Sequence, residues 1–253
     1  MDLGLSDRVY IVTGGTRGLG FATAQALVAE GARVVVSGRD GGRAEQAALD
    51  LGGHDVAIGL EADLSNGDGE GRLVAAATAR YGRLDGALVS VGGPPAGTVL
   101  GTTDEVWREA FESIFVGAVR TARTVAAELG EGGAMAFVLS SSVRTPIANL
   151  AVSNGLRPGL AMVAKTLADE LGTRGIRVNG LLPGRIATDR LKELDAGSGR
   201  PVSQRREQEA AIPLGRYGEP AEFGRVAAFL LSPAASYLNG AMVPVDGGAL
   251  RAL

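Results

Sequence analysis

An apolar run, Arg8-Val9-Tyr10-Ile11-Val12, ends in Thr13-Gly14-Gly15-Thr16-Arg17-Gly18-Leu19-Gly20 and passes directly into a helical pattern. A strand, a glycine-rich turn and a helix start in this order make a pocket for an anion. Gly14 permits a turn that residues with a Cβ resist, and Gly18 and Gly20 let the backbone approach a ligand and the sheet. The helix N-terminus offers free N–H groups and the positive end of its dipole, which suits the pyrophosphate of a dinucleotide. The spacing is Gly-x3-Gly-x-Gly, whereas the common dinucleotide fingerprint is Gly-x-Gly-x2-Gly.

Composition narrows the alternatives. Apolar residues make up 45% of 253, enough for one large core, and residues 1–253 read as a single domain. The formal net charge is −3 with no basic block, which argues against nucleic acid as a partner. There is no cysteine, so thiolate nucleophiles and Cys-based zinc sites are excluded. The lone histidine, His54, lies in a Gly-Gly-His-Asp turn and is expected at the surface. The first residues lack a signal-peptide pattern, and the uncharged run 86–103 is broken by Gly92, Gly93, Pro94 and Pro95. A soluble, cytoplasmic protein without a membrane partner is expected.

Strand patterns at 8–13, 33–37, 56–61, 85–91, 134–140, 176–182 and 241–245 alternate with helical patterns at 19–30, 41–51, 67–81, 104–129, 154–173 and 220–232. This rhythm predicts an α/β fold, a doubly wound, mainly parallel seven-stranded sheet with helices on both faces. The stretch 185–217 is polar and irregular, and reads either as a mobile lid or as an ordinary surface loop.

Further landmarks follow in order. Asp63-Leu64 comes after the third strand, Ser90-Val91-Gly92-Gly93 ends the fourth, and Ser140-Ser141-Ser142 ends the fifth. Arg177-Val178-Asn179 and Pro183-Gly184-Arg185-Ile186-Ala187-Thr188-Asp189 mark the sixth strand and its loop, and Val245-Asp246-Gly247-Gly248 the tail. Together with the glycine turn, these resemble the short-chain dehydrogenase/reductase family, most of all its 3-oxoacyl-carrier-protein-reductase branch. The resemblance implies a Rossmann-type fold and a nicotinamide dinucleotide held by Gly14, Thr16, Arg17, Gly18, Leu19 and Gly20. It implies adenine contacts from Asp63 and Leu64, and contacts nearer the nicotinamide from Ser90, Gly92, Pro183, Gly184, Ile186 and Thr188. It also implies a homotetramer or homodimer, consistent with helical patterns 104–129 and 154–173 that carry apolar residues on more than one face.

The second strand ends Val36-Ser37-Gly38-Arg39, with no acid to accept ribose hydroxyls. A carboxylate there would repel a 2′-phosphate, whereas Arg39 and Arg17 can flank one with bidentate hydrogen bonds. NADP is the expected cofactor. The alternatives are that both arginines are solvated, or that Asp40 pairs with Arg39.

The catalytic pattern departs from the family. Its reductases use Asn, Ser, Tyr and Lys, with Tyr and Lys four apart on one helix face. No Tyr-x3-Lys occurs within 149–160. One register puts Leu150 and Asn154 at these two positions; the other, counted back from Asn179, puts Ser153 and Arg157 there. The second is preferred, because it keeps an apolar stripe at Leu156, Leu160, Val163, Ala164, Leu167 and Leu171 and confines a deletion to a loop. The Asn position falls on Ile114, so only Ser142 matches. Pro158 disfavours helical geometry at Arg157, so the helix is expected to start late or kink. The plainer alternative makes Ser153 a helix cap and Arg157 a surface charge.

Three functions fit this pattern. The first is an NADP-dependent oxidoreductase acting on a small carbonyl or alcohol, with Ser142 binding the carbonyl, Ser153 as a weak donor and Arg157 holding the ribose or an oxyanion. The second is a dehydratase, cyclase or decarboxylase on the same scaffold. The third is a cofactor-binding subunit without catalysis.

Overall fold

The computed structural model describes residues 2–196 and 201–252. Its centre is a seven-stranded sheet built from β1 (Val9–Val12), β2 (Arg33–Gly38), β3 (Ala57–Glu61), β4 (Gly86–Val89), β5 (Ala134–Val138), β6 (Arg177–Pro183) and β7 (Met242–Val245). The spatial order is β3-β2-β1-β4-β5-β6-β7, and every neighbouring pair is parallel. This is the Rossmann-type arrangement, with the order reversing between β1 and β4.

Side-chain alternation divides the interior into two layers, as the period-2 geometry of a strand requires. Val9, Ile11, Val35, Ala87, Val89, Met135 and Phe137 face one layer. They pack against α3 (Gly69–Tyr81), α5 (Gly117–Glu128) and α6 (Ala151–Gly172). Tyr10, Val12, Val34, Val36, Leu88, Ala136 and Leu181 face the other, against α1 (Gly18–Ala29), α2 (Gly41–Asp50) and α9 (Pro220–Leu231). Both faces are covered, which explains why these strands read as unbroken apolar runs.

Local signals set the helix ends. Asp40 accepts the Arg43 N–H at 3.0 Å, starts α2 and pairs with the Arg43 side chain at 3.4 Å; no ion pair joins it to Arg39 among the described residues. Gly82, at φ 76°, ends α3 in the left-handed conformation. A capping box between Glu219 and Glu222 with Pro220 behind it starts α9.

Three expectations need correction. The stretch 185–217 is not one irregular loop: it holds α7 (Asp189–Ala196) and α8 (Pro201–Ala210), with 197–200 outside the described residues. Its strong polarity hid these helices, because they bury little apolar surface. The pattern 104–129 is helical from Asp104 to Glu128 but not uniformly α: a π-helical turn, Phe111–Val116, separates α4 (Asp104–Ala110) from α5. Finally, α6 starts early, at Ala151, and carries Pro158 inside it. The proline removes one main-chain donor, and tertiary packing on both sides holds the helix through it. Ser153 is therefore interior to the helix and not its cap, which falls on Leu150.

No helix among the described residues is long and apolar enough to cross a membrane. At the N-terminal edge of the sheet, buried Asp85 accepts the Val9 N–H at 2.9 Å and a two-pronged contact from Arg83 at 2.8 and 2.6 Å. Asp85→Ala strands that amide and is expected to cost about 3 kcal/mol in chemical denaturation. Ligand affinity at the opposite edge should stay unchanged in the same variant.

Candidate active site

At the C-terminal edge of β1 and β4, Thr13 ties the two strand exits together. Its hydroxyl donates to the Ser90 carbonyl at 2.9 Å and accepts the Ser90 N–H at 2.8 Å. Gly14 follows at φ 58°, where an added Cβ would lie 2.8 Å from the Ser90 oxygen. A Cβ on Gly20 would overlap the Gly14 carbonyl, and Gly18 also adopts a positive φ of 58°. The turn is thus a bare backbone cradle at the N-terminus of α1, at the point where strand order reverses. That observation fits a dinucleotide pyrophosphate. Thr16 packs against Gly38 at the end of β2, and Leu19 is half-buried on the first turn of α1.

Arg17 and Arg39 are both exposed beside this cradle. Arg17 is 4.0 Å from Glu193 of α7, a loose contact between exposed groups; Arg39 makes no ion pair with any described residue. Asp63 leaves the end of β3 and accepts the Ser65 N–H at 3.0 Å and the Ser65 hydroxyl at 2.8 Å. These bonds, and the Arg39 charge to a smaller degree, hold its carboxyl below the usual carboxylate range.

Further along the edge, Ser142 sits on a 3-10 turn, Ser141–Val143, with its N–H held by the Ser140 side chain at 3.0 Å. Its Oγ is 3.1 Å from Ser153 Oγ, and both residues are buried. One turn along α6, Arg157 is 4% exposed and carries no carboxylate partner among the described residues. Its guanidinium donates to the Val138 carbonyl at 2.7 Å and the Gly92 carbonyl at 3.3 Å, at the ends of β5 and β4. Burial lowers its pKa to about 10, so it remains protonated at neutral pH. Ser142 and Ser153 are thus in direct contact, and Arg157, on the next turn of the same helix, reaches the strand ends instead.

Leu150 and Asn154 have other work. Asn154 closes the preceding loop with two bonds to the Ile147 main chain, at 3.0 and 2.9 Å. Leu150 bridges to Gly97, where Ala151 N–H reaches the Gly97 carbonyl at 3.1 Å. Ile114 is buried with Val152, Leu156 and Ala110, so it fills space between helices. Gly92, Pro183, Gly184, Ile186 and Thr188 border the same edge; Thr188 contacts the position a Gly18 side chain would take, and a Gly184 Cβ would press on Asp246.

Arg190 was not foreseen from the sequence pattern. From α7 it donates to the Pro94 carbonyl at 2.6 Å, tying that helix to the loop after β4. A single arginine in a polar stretch has no pattern to mark it.

A family model described as enoyl-(acyl carrier protein) reductase matches residues 14–249. The chain belongs to the short-chain dehydrogenase/reductase family. It is 36% identical over 255 residues to an L-rhamnose 1-dehydrogenase (NAD(P)(+)) of Azotobacter vinelandii, covering 96% of this chain and 97% of that one. It is 32% identical over 249 residues to human dehydrogenase/reductase SDR family member 4, covering 96% and 88%. Among solved structures, L-sorbose reductase from Gluconobacter frateurii, complexed with NADPH and L-sorbose, superposes with TM-score 0.90 at 30% identity over the full length of both chains. The chain is an oxidoreductase of this family by that kinship.

Proposed function

We propose that the protein is an NADP-dependent oxidoreductase that interconverts a carbonyl and an alcohol through a site without the Tyr-Lys pair. The observation that carries this reading is the glycine cradle at the β1–β4 switch point, with a buried serine pair and a buried cation on the same edge. Gly14, Thr16, Gly18, Leu19 and Gly20 would hold the pyrophosphate, Asp63 and Leu64 the adenine, and Ser90, Gly92, Pro183, Gly184, Ile186 and Thr188 the nicotinamide half. When bound, the dinucleotide supplies or accepts the hydride.

The chain's own groups do the rest. The Ser142 and Ser153 hydroxyls orient the substrate oxygen and donate hydrogen bonds to it. The Arg157 charge is not neutralised by any acid among the described residues, and its field stabilises negative charge on that oxygen. Neither serine is a competent acid at neutral pH, and Arg157 stays protonated, so the proton comes from water. General acid catalysis is worth ~10²–10⁴-fold, so this arrangement is slower than one with a phenol but still productive.

NADP over NAD is supported by Arg17 and Arg39 beside the cradle and by Asp40 being spent on the α2 cap. Two of the relatives are named for L-rhamnose and L-sorbose, which makes sugars and related polyols the first substrates to assay. Assembly into a homodimer or homotetramer is supported by Phe111 and Met162, which leave 46% and 67% of their surface exposed on the α4–α6 layer.

Three outcomes are expected. In calorimetric titration NADPH binds tighter than NADH, and Arg39→Asp reverses the preference by about tenfold; equal affinities in the native protein would contradict the cofactor reading. Ser153→Tyr combined with Arg157→Lys raises ketone reduction by ~10²-fold at most, since Ile114 and Pro158 remain; an unchanged rate in a folded, NADPH-binding variant would contradict the proposed roles. Sedimentation at micromolar concentration gives a dimer or tetramer, and a monomer would contradict the assembly.

A further inference from the structure

Glu70, in the first turn of α3, is 2% exposed, and neither carboxylate oxygen has a hydrogen-bond partner among the described residues. A buried carboxylate without such a partner is costly unless a cation stands close. The cation is Arg120 of α5, whose Nη1 lies 3.7 Å from Glu70 Oε1. Arg120 does not close that gap, because its hydrogen bonds go elsewhere. Nη1 donates to the Leu64 carbonyl at 3.0 Å, and Nη2 donates to Glu112 Oε1 at 2.9 Å.

The loop after β3 therefore wraps around this guanidinium. Gly67, at φ 78°, lies so near it that an added Cβ would sit 3.1 Å from Arg120 Cζ. The other side of the loop is fixed by the Ser65 bonds to Asp63 and by the Asn66 N–H on the Asp63 carbonyl at 3.2 Å. Ala62 N–H bonds Gly38 O at 2.8 Å, which sets the start of the loop beside the end of β2, on the ligand edge of the sheet.

The geometry points to Arg120 as a positioning residue for adenine recognition. Glu70 and Glu112 hold the guanidinium, and the guanidinium holds the Leu64 peptide in the orientation that meets the base. Glu70 supplies the charge that keeps Arg120 in the interior, and Glu112 aims its second nitrogen. Arg120 does not touch the dinucleotide; it acts through Leu64. This inference rests on the proposal that the cleft binds a nicotinamide dinucleotide.

The test compares NADPH with its hypoxanthine analogue, in which the exocyclic amine of adenine is replaced by a carbonyl. Calorimetry gives the two affinities, and their ratio reports base reading independently of turnover. The native protein is expected to prefer NADPH. Arg120→Lys keeps a cation near Glu70 but loses the fork that reaches Leu64 and Glu112 together. Its preference for NADPH is expected to fall by about five- to tenfold, the effect of one misplaced hydrogen bond. The double variant Glu70→Leu with Arg120→Leu removes both charges without stranding either, and should show the same fall. An unchanged ratio in either variant, whatever happens to its melting temperature, would reduce the pair to support of the fold and overturn the inference. A native protein that binds both dinucleotides equally would also overturn it, while the cofactor reading stands. A native protein that binds neither would overturn the cofactor reading and this inference with it.

Discussion

The paired hydrogen bonds between the Thr13 hydroxyl and the Ser90 main chain fasten the exits of β1 and β4, the two strands between which the sheet reverses order. Much of the cleft follows from this contact. It brings the Ser90 carbonyl so close to Gly14 that no side chain fits there. A bare turn leaves the first N–H groups of α1 facing outward, and an anion is the natural occupant of such a place. Two residues past Ser90, the Gly92 carbonyl accepts from the Arg157 guanidinium at 3.3 Å.

Arg157 shows what the departure from the family's residue pattern entails. A guanidinium in this position is long enough to reach the ends of β4 and β5, and it uses carbonyl oxygens as acceptors. No carboxylate offsets its charge among the described residues, and burial lowers its pKa without removing the proton. In the proposed site this cation, one helical turn from the Ser142–Ser153 pair, would favour an oxyanion but would give no means of delivering a proton. Such a site would keep electrostatic stabilisation and lack acid catalysis. Ile114 completes the change by packing against Val152 and Leu156 on the π-helical turn.

The sheet was legible in the sequence because apolar runs such as Val34-Val35-Val36 are buried on both faces and carry strong β propensity. The glycine cradle was legible because its residues are local and contiguous. The helices α7 and α8 were not, since Asp189–Ala196 and Pro201–Ala210 are polar and have little apolar periodicity to betray them. Pro158 misled in the other direction, as a local preference overruled by the packing of a long helix. Arg190 and Arg120 were invisible for a different reason. Each acts through a main-chain carbonyl far away in sequence, Pro94 and Leu64, and no spacing rule marks such a pair.

Ser153 and Arg157 are proposed to lie with Ser142 at the nicotinamide end of a working dinucleotide cleft. A crystal structure of the NADPH complex is the decisive experiment. The nicotinamide ring is expected against the Ser142–Ser153 pair, with Arg157 still on the Val138 and Gly92 carbonyls and Asn154 still closing its loop. A complex in which Leu150 and Asn154 face the nicotinamide, or in which Arg157 turns out to solvent, would contradict it.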